Sequence, residues 1–118
     1  MSLKLFQICC KITAIGNIIT AILAMVSMPN HLEMFYGSVQ TNSIFQMYHY
    51  GFWVFVLTMG IAYWELSKRP VQLRIIALIG AVGKLTLVGF WLNLALTNQA
   101  KPMIWSGIIY DLFFGIVL

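Results

Sequence analysis

Four apolar stretches, each about as long as a lipid bilayer is thick, leave this chain few folds to choose from. Crossing the hydrocarbon takes about 20 apolar residues in a helix, because nothing in the bilayer core can satisfy an open backbone. The stretches run from about Ile8 to Met28, Ile44 to Leu66, Val71 to Leu96 and Pro102 to Leu118. Pro29 stops the first, since it cannot continue the helical ladder, and the polar segment PNHLEMFYGSVQTNS follows. The cluster SKRP ends the second, and Pro70 is placed to serve as the first residue of the next helix. The turn-like TNQAKP ends the third. The fourth is about 17 residues, near the lower limit for crossing. The first run is too long for the apolar part of a cleavable signal and has no small-residue cleavage site after it. The expected fold is all-α: one integral membrane domain, residues 1–118, forming an antiparallel bundle of four transmembrane helices.

Composition excludes the soluble alternatives. Only 8% of the 118 residues are charged, against about 25% in an ordinary soluble domain. Seven basic and three acidic side chains cannot cover the outside of a soluble bundle, which removes a soluble enzyme, a disulfide scaffold and a disordered tail. The seven cations form no basic stripe, so a nucleic-acid partner is excluded as well. Their distribution instead sets orientation. Lys4, Lys11, Lys68, Arg69 and Arg74 flank one side of the spans, and Lys101 alone, with His31 and Glu33, flanks the other. By the positive-inside rule both termini are cytoplasmic. Tyr63 and Trp64 then fit the inner interface, and Tyr36, Tyr48, Tyr50 and Trp105 the outer one.

Ionisable groups inside a span are costly and usually face the bundle interior, so His49, Lys84 and Asp111 are informative. Asn17 joins them because an amide in lipid also seeks a partner. At about 1.5 Å per residue, Asn17 lies roughly 14 Å from the cytoplasmic end of its span, Lys84 roughly 15 Å beyond Arg74, and Asp111 roughly 14 Å from the outer end of its own. The three form a polar layer near the midplane. His49 is shallower, roughly 8 Å from the outer end of the second span. Spans three and four are joined by a short turn and are therefore antiparallel neighbours, which makes Lys84 and Asp111 natural partners. Each polar residue sits in a stripe at helical spacing, rich in small or polar side chains: Thr13, Asn17, Thr20, Ala24; His49, Trp53, Val56, Gly60, Tyr63; Ala77, Gly80, Lys84, then Leu87 and Trp91; Gly107, Asp111, Gly115. Small residues let helix backbones approach closely in a bilayer. The pair can serve simply to fix helix register, or it can relay protons or hold a polar head group.

Metal and cofactor signals are thin. Soft ligands gather toward the outer side, where His31, Met34 and His49 are weak candidates for Cu(I). Methionine is also an ordinary filler of apolar cores, and no tight ligand motif recurs, so no metal is expected. A haem across the bundle needs two facing histidines; only His49 lies within a span, and His31 is read as a loop residue. Cys9 and Cys10 are adjacent at the cytoplasmic end of the first span, where they read as small buried residues or, in a sharper alternative, as a lipidation site. No P-loop, nucleophile elbow, zinc-protease motif or C-x-x-C is present, and no catalytic residue is assigned.

Four short spans, a Pro-started outer segment after the first, YHYGFW opening the second, G-x-x-x-K in the third and G-x-x-x-D near the end resemble the small DoxX-like membrane proteins. That resemblance implies membrane redox assemblies and quinone chemistry, and its residue-level carry-over touches His49, Lys84 and Asp111. The small multidrug transporters share the size and span number, but carry an essential acid in the first span, where this chain has none. Three functions follow. The first is a non-enzymatic membrane subunit, homo-oligomer or lipid binder, in contact with membrane lipids and a larger membrane complex. The second is a redox subunit holding a quinone near Tyr48, His49, Trp53 and Trp91. The third is a proton-coupled carrier using Lys84 and Asp111. The expected location is a bacterial inner membrane, and no tightly bound cofactor is required by the first reading.

Overall fold

The computed structural model describes residues 1–37 and 42–118, and these contain five helices and no strand. Helix α1 spans Leu3–Val26, α2 Met28–Tyr36, α3 Ser43–Lys68, α4 Arg74–Leu96 and α5 Ile104–Val117. Three of them, α1, α3 and α4, are long and apolar enough to cross a membrane, which makes the chain an integral membrane protein. The whole measures 44 × 27 × 18 Å.

The helix ends follow local chemistry. Ser2 caps α1, its hydroxyl accepting from the Leu5 N–H at 3.2 Å, so the helix begins well before the apolar run at Ile8. Asn42 caps α3 in the same way, accepting from the Phe45 N–H at 2.8 Å. At the other end of α3, Gln7 donates its side-chain N–H to the Ser67 carbonyl at 2.9 Å, supplying an orphan last-turn carbonyl with a partner from α1. Helix α4 ends on Asn98, whose positive φ of 57° lets the Gln99 N–H reach back to the Leu94 carbonyl at 2.9 Å.

Three expectations are corrected here. Pro29 ends α1 but also opens α2, where it sits in the first turn and needs no donor. His31 is thus helical rather than a loop residue; of the polar segment, residues 38–41 lie outside the described ones. Pro70 does not begin the third span: residues 70–73 form a turn and α4 starts at Arg74. Helix α5 covers 14 residues, about 21 Å, of the fourth apolar stretch.

On α1 and α4 the buried face is the small-residue stripe, whereas α3 and α5 also bury large side chains such as Trp53, Tyr63, Ile108 and Phe114. On α1 that face consists of Cys9, Cys10, Thr13, Ala14, Asn17, Ala21 and Ala24, and α3 packs along it. Gly60 is where the two backbones come nearest: a Cβ there would lie 3.1 Å from the Ala14 carbonyl oxygen. Helices α4 and α5 form the second close pair. The two pairs meet mainly through tyrosines seated on glycines, Tyr63 of α3 on Gly80 of α4 and Tyr110 of α5 on Gly16 of α1. Tyr63 is therefore a core residue, 2% exposed, and not an interfacial one as its position near SKRP suggested. Both thiols are buried and free, with Cys10 in a cluster with Ala14, Tyr63, Leu66 and Ala77, so neither faces lipid as acylation requires.

Candidate functional site

Where the two helix pairs diverge, away from Tyr63, they leave a cavity of about 850 Å³. Its floor holds Asn17, Tyr63, Gly80, Lys84 and Asp111; its walls include Leu23, Phe55, Val56, Ile79, Leu87 and Gly107; and α2 lies across its outer end with His31, Met34, Phe35 and Tyr36. The long axis follows α1 from Asn17 to Ser27, roughly 15 Å.

The floor is a three-helix polar cluster. Lys84 Nζ donates to Asp111 Oδ1 at 2.6 Å and to Asn17 Oδ1 at 3.3 Å, and stands over the Tyr110 ring, 4.9 Å from its centroid. All three residues are buried. The Tyr110 hydroxyl donates to the Thr13 carbonyl at 3.2 Å, tying α5 to α1 directly beneath. Spans with charges at matching depth on adjacent antiparallel helices give the Lys84–Asp111 contact. Asn17 completes it because α1 lies across from that hairpin.

The aromatic group is rearranged from its expected form. Trp53 and Trp91 line the cavity, but Tyr48 and His49 do not. Tyr48 is 69% exposed on the outside of α3. Adjacent residues on a helix point about 100° apart, so Tyr48 could not share the face that His49 and Trp53 occupy at i, i+4. His49 is instead turned to α1, where its Nε2–H donates to the Ala24 carbonyl at 3.0 Å, which fixes the tautomer. Its place in the cavity is taken by His31, whose ring stands edge-on to Trp53 with centroids 4.9 Å apart.

Helix α2 is held at both ends. Met28 and Leu32 are buried, and Phe35 and Tyr36 pack against the Val88, Ile104 and Ile108 cluster. The Lys101 N–H donates to the Phe35 carbonyl at 2.7 Å and its ammonium meets Glu33 at 2.9 Å, joining α2 to the turn before α5. The exposed ion pair contributes about 0–1 kcal/mol; the backbone bond and the aromatic packing hold the helix down.

His31 and His49 rings are 5.9 Å apart. Among the described residues no group of three His, Cys, Asp or Glu gathers around them, and Met34 is half exposed at the cavity mouth. Burial and the neighbouring His49 hold the His31 imidazole below its usual pKa near 6.5. Below that value the unfolded chain then binds more protons than the folded one, so stability is full above about pH 6.5 and falls as pH drops through it. Melting followed in detergent between pH 8 and 5 should show this loss, and His31→Gln should remove part of it. An unchanged acid limb in the variant would assign the loss to another group.

Reading the sequence alone misses Tyr110 and the whole of α2, while Tyr63 is on the interior stripe read for the second span. Tyr110 is next to Asp111 and one helical turn from Gly107. Helix α2 had a signal in MPNHLEMFY: proline in the first turn with Met28, Leu32 and Phe35 at helical spacing. No protein-family model, curated protein or solved structure matches the chain.

Proposed function

We propose that this chain is a non-enzymatic, four-span protein of the bacterial inner membrane that holds a hydrophobic ligand between its two helix pairs. Both termini face the cytoplasm in this reading, with the basic residues Lys4, Lys11, Lys68, Arg69 and Arg74 on that side. Helix α5 is the fourth span in this reading, antiparallel to α4. Its exposed apolar residues, including Ile109, Phe113 and Ile116, suit lipid or another membrane protein.

One observation carries the ligand reading: an 850 Å³ cavity with apolar walls ends on a cluster of convergent polar groups. Volumes of about 300–1,000 Å³ with few placed polar groups are usual for small-molecule sites. The quinone reading, which the DoxX-like resemblance suggests, uses the same cavity with Trp53 and Trp91 as ring contacts. The carrier reading draws on the same floor, since Tyr63, Cys10, Ala14 and Leu66 pack beneath it on the cytoplasmic side while the cavity extends outward.

Mass spectrometry of the gently solubilised protein tests the proposal. Gly83 lines the cavity, and a Cβ there would meet nothing within 4 Å, so Gly83→Leu adds bulk at the cavity wall. The wild-type protein should retain a stoichiometric amphiphile that Gly83→Leu loses. Equal retention by both would place the bound molecule on the outer surface and end the cavity reading.

A further inference from the structure

The floor of the cavity has hydrogen-bonding capacity left over. Among the described residues every fully enclosed side-chain nitrogen or oxygen has a partner. Asp111 uses Oδ1 for Lys84, and Asn17 must present its Oδ1 to the same ammonium, because a lysine only donates. This fixes the amide orientation and leaves Asn17 Nδ2 as a free donor and Asp111 Oδ2 as a free acceptor. Their residues are only 7% and 5% exposed, and both line the cavity, so the free atoms face into it. The third direction of the Lys84 ammonium is taken by the Tyr110 ring.

Charge adds the second constraint. Lys84 and Asp111 cancel at 2.6 Å, so the floor is dipolar but carries no net charge. An anionic head group would gain from Lys84 and lose to Asp111 at nearly the same distance, and a cationic one the reverse. Neither recovers its own desolvation, which amounts to several kcal/mol for a buried ion. An uncharged hydroxyl loses far less on leaving water and finds both a donor and an acceptor waiting.

We propose that the cavity selects an electrically neutral amphiphile, whose hydroxyl or hydroxyl-and-carbonyl head donates to Asp111 Oδ2 and accepts from Asn17 Nδ2. Its apolar body lies along the walls toward Trp53, Trp91 and α2, over roughly 15 Å. Monoacylglycerols, long-chain alcohols and phenols have this chemistry; phospholipids, fatty-acid anions and alkyl cations do not. The inference rests on the ligand-binding reading above and adds its head-group class.

Tryptophan quenching tests it. Trp64 and Trp105 lie outside the cavity, so Trp64→Phe with Trp105→Phe leaves Trp53 and Trp91 as reporters inside it. Three probes with the same brominated chain are titrated into the detergent-solubilised protein: a monoacylglycerol, an alkyl sulfate and a primary alkylammonium. The monoacylglycerol should reach half-quenching at a concentration about tenfold or more below either charged probe, a difference of about 1.4 kcal/mol. Asn17→Leu should erase most of that preference. Asp111→Asn leaves a cationic floor and should invert the order in favour of the sulfate, which should also raise this variant's melting temperature more than the wild type's. Lys84→Gln with Asp111→Asn restores a neutral floor and should restore the neutral preference, which covers the case of a single variant too unstable to titrate. A charged probe that matches or beats the monoacylglycerol in the wild-type floor would overturn the head-group assignment while leaving the cavity as a ligand site. Quenching by all three that is unaffected by Gly83→Leu would overturn the ligand site itself, and the head-group assignment with it.

Discussion

Asp111→Asn and Lys84→Met should each be severely destabilising, whereas Lys84→Met combined with Asp111→Leu should recover much of the loss. The two side chains are buried, 2.6 Å apart, and come from adjacent helices. Removing one member of such a pair strands the other charge, at a cost of about 3–5 kcal/mol, while replacing both by apolar groups of similar size is often close to neutral. Asn17→Leu should rank well below either single change. Its contact to Lys84 is 3.3 Å, and hydrogen bonds between membrane helices average about 0.6 kcal/mol. Thermal unfolding of the wild type, Lys84→Met, Asp111→Leu and the double variant in one detergent gives the double-mutant cycle. A coupling well above about 0.5 kcal/mol is expected; losses that simply add would mean that Lys84 and Asp111 act with separate partners. A double variant that is stable yet releases the bound amphiphile would give the pair a functional role beyond holding helix register.

The polar floor was legible because it depends on two quantities a sequence carries directly. One is depth, counted in residues from Arg74 and Pro102; the other is adjacency, implied by the short turn between the third and fourth spans. Lys84 and Asp111 meet for those reasons, and Asn17 follows from its matching depth. The roof was not legible in the same way. Residues 28–36 are polar enough to read as a loop, and their helix is held by contacts between distant segments, the Lys101 N–H on Phe35 and the His31 ring on Trp53. The aromatic pocket was half legible: the face shared by Trp53 and His49 is fixed by helical periodicity, but its rotation about the α3 axis is fixed by packing on α1. That rotation turns His49 to the Ala24 carbonyl and leaves Trp53 to the cavity. The span count shows a different limit. Composition identifies α5 as apolar, but the turn that sets its start at Ile104 is one that hydropathy does not register.

Two glycines three residues apart on α4 should respond to the same substitution in opposite directions. Gly83→Ala meets nothing within 4 Å. It should gain up to about 1 kcal/mol, the difference in helix propensity between alanine and glycine. Gly80→Ala gains the same propensity, but its new methyl would lie 2.6 and 2.7 Å from the Cε1 and Cζ atoms of Tyr63, with the hydroxyl closer still. Tyr63 is 2% exposed, and Cys10, Ala14, Leu66 and Ala77 hold its ring against Gly80. Relief has to come from separating α3 and α4, which touch at few other places. Overpacking of this kind costs about 1–3 kcal/mol, which exceeds the propensity gain. Gly80→Leu should cost more, because it adds three further carbons at a position where even a Cβ meets the Tyr63 ring. Tyr63→Phe removes the nearest atom and should restore part of the stability of Gly80→Ala, while Tyr63→Leu should restore more at the expense of a void in the wild-type background. The separation also has a consequence at the floor, since Tyr63 and Gly80 both line it. Gly80→Ala should therefore weaken amphiphile retention as well as lower the melting temperature, whereas Gly83→Ala should leave the melting temperature equal or higher. If both glycines tolerate alanine equally, the two helix pairs do not meet through Tyr63, and the cavity has a different floor.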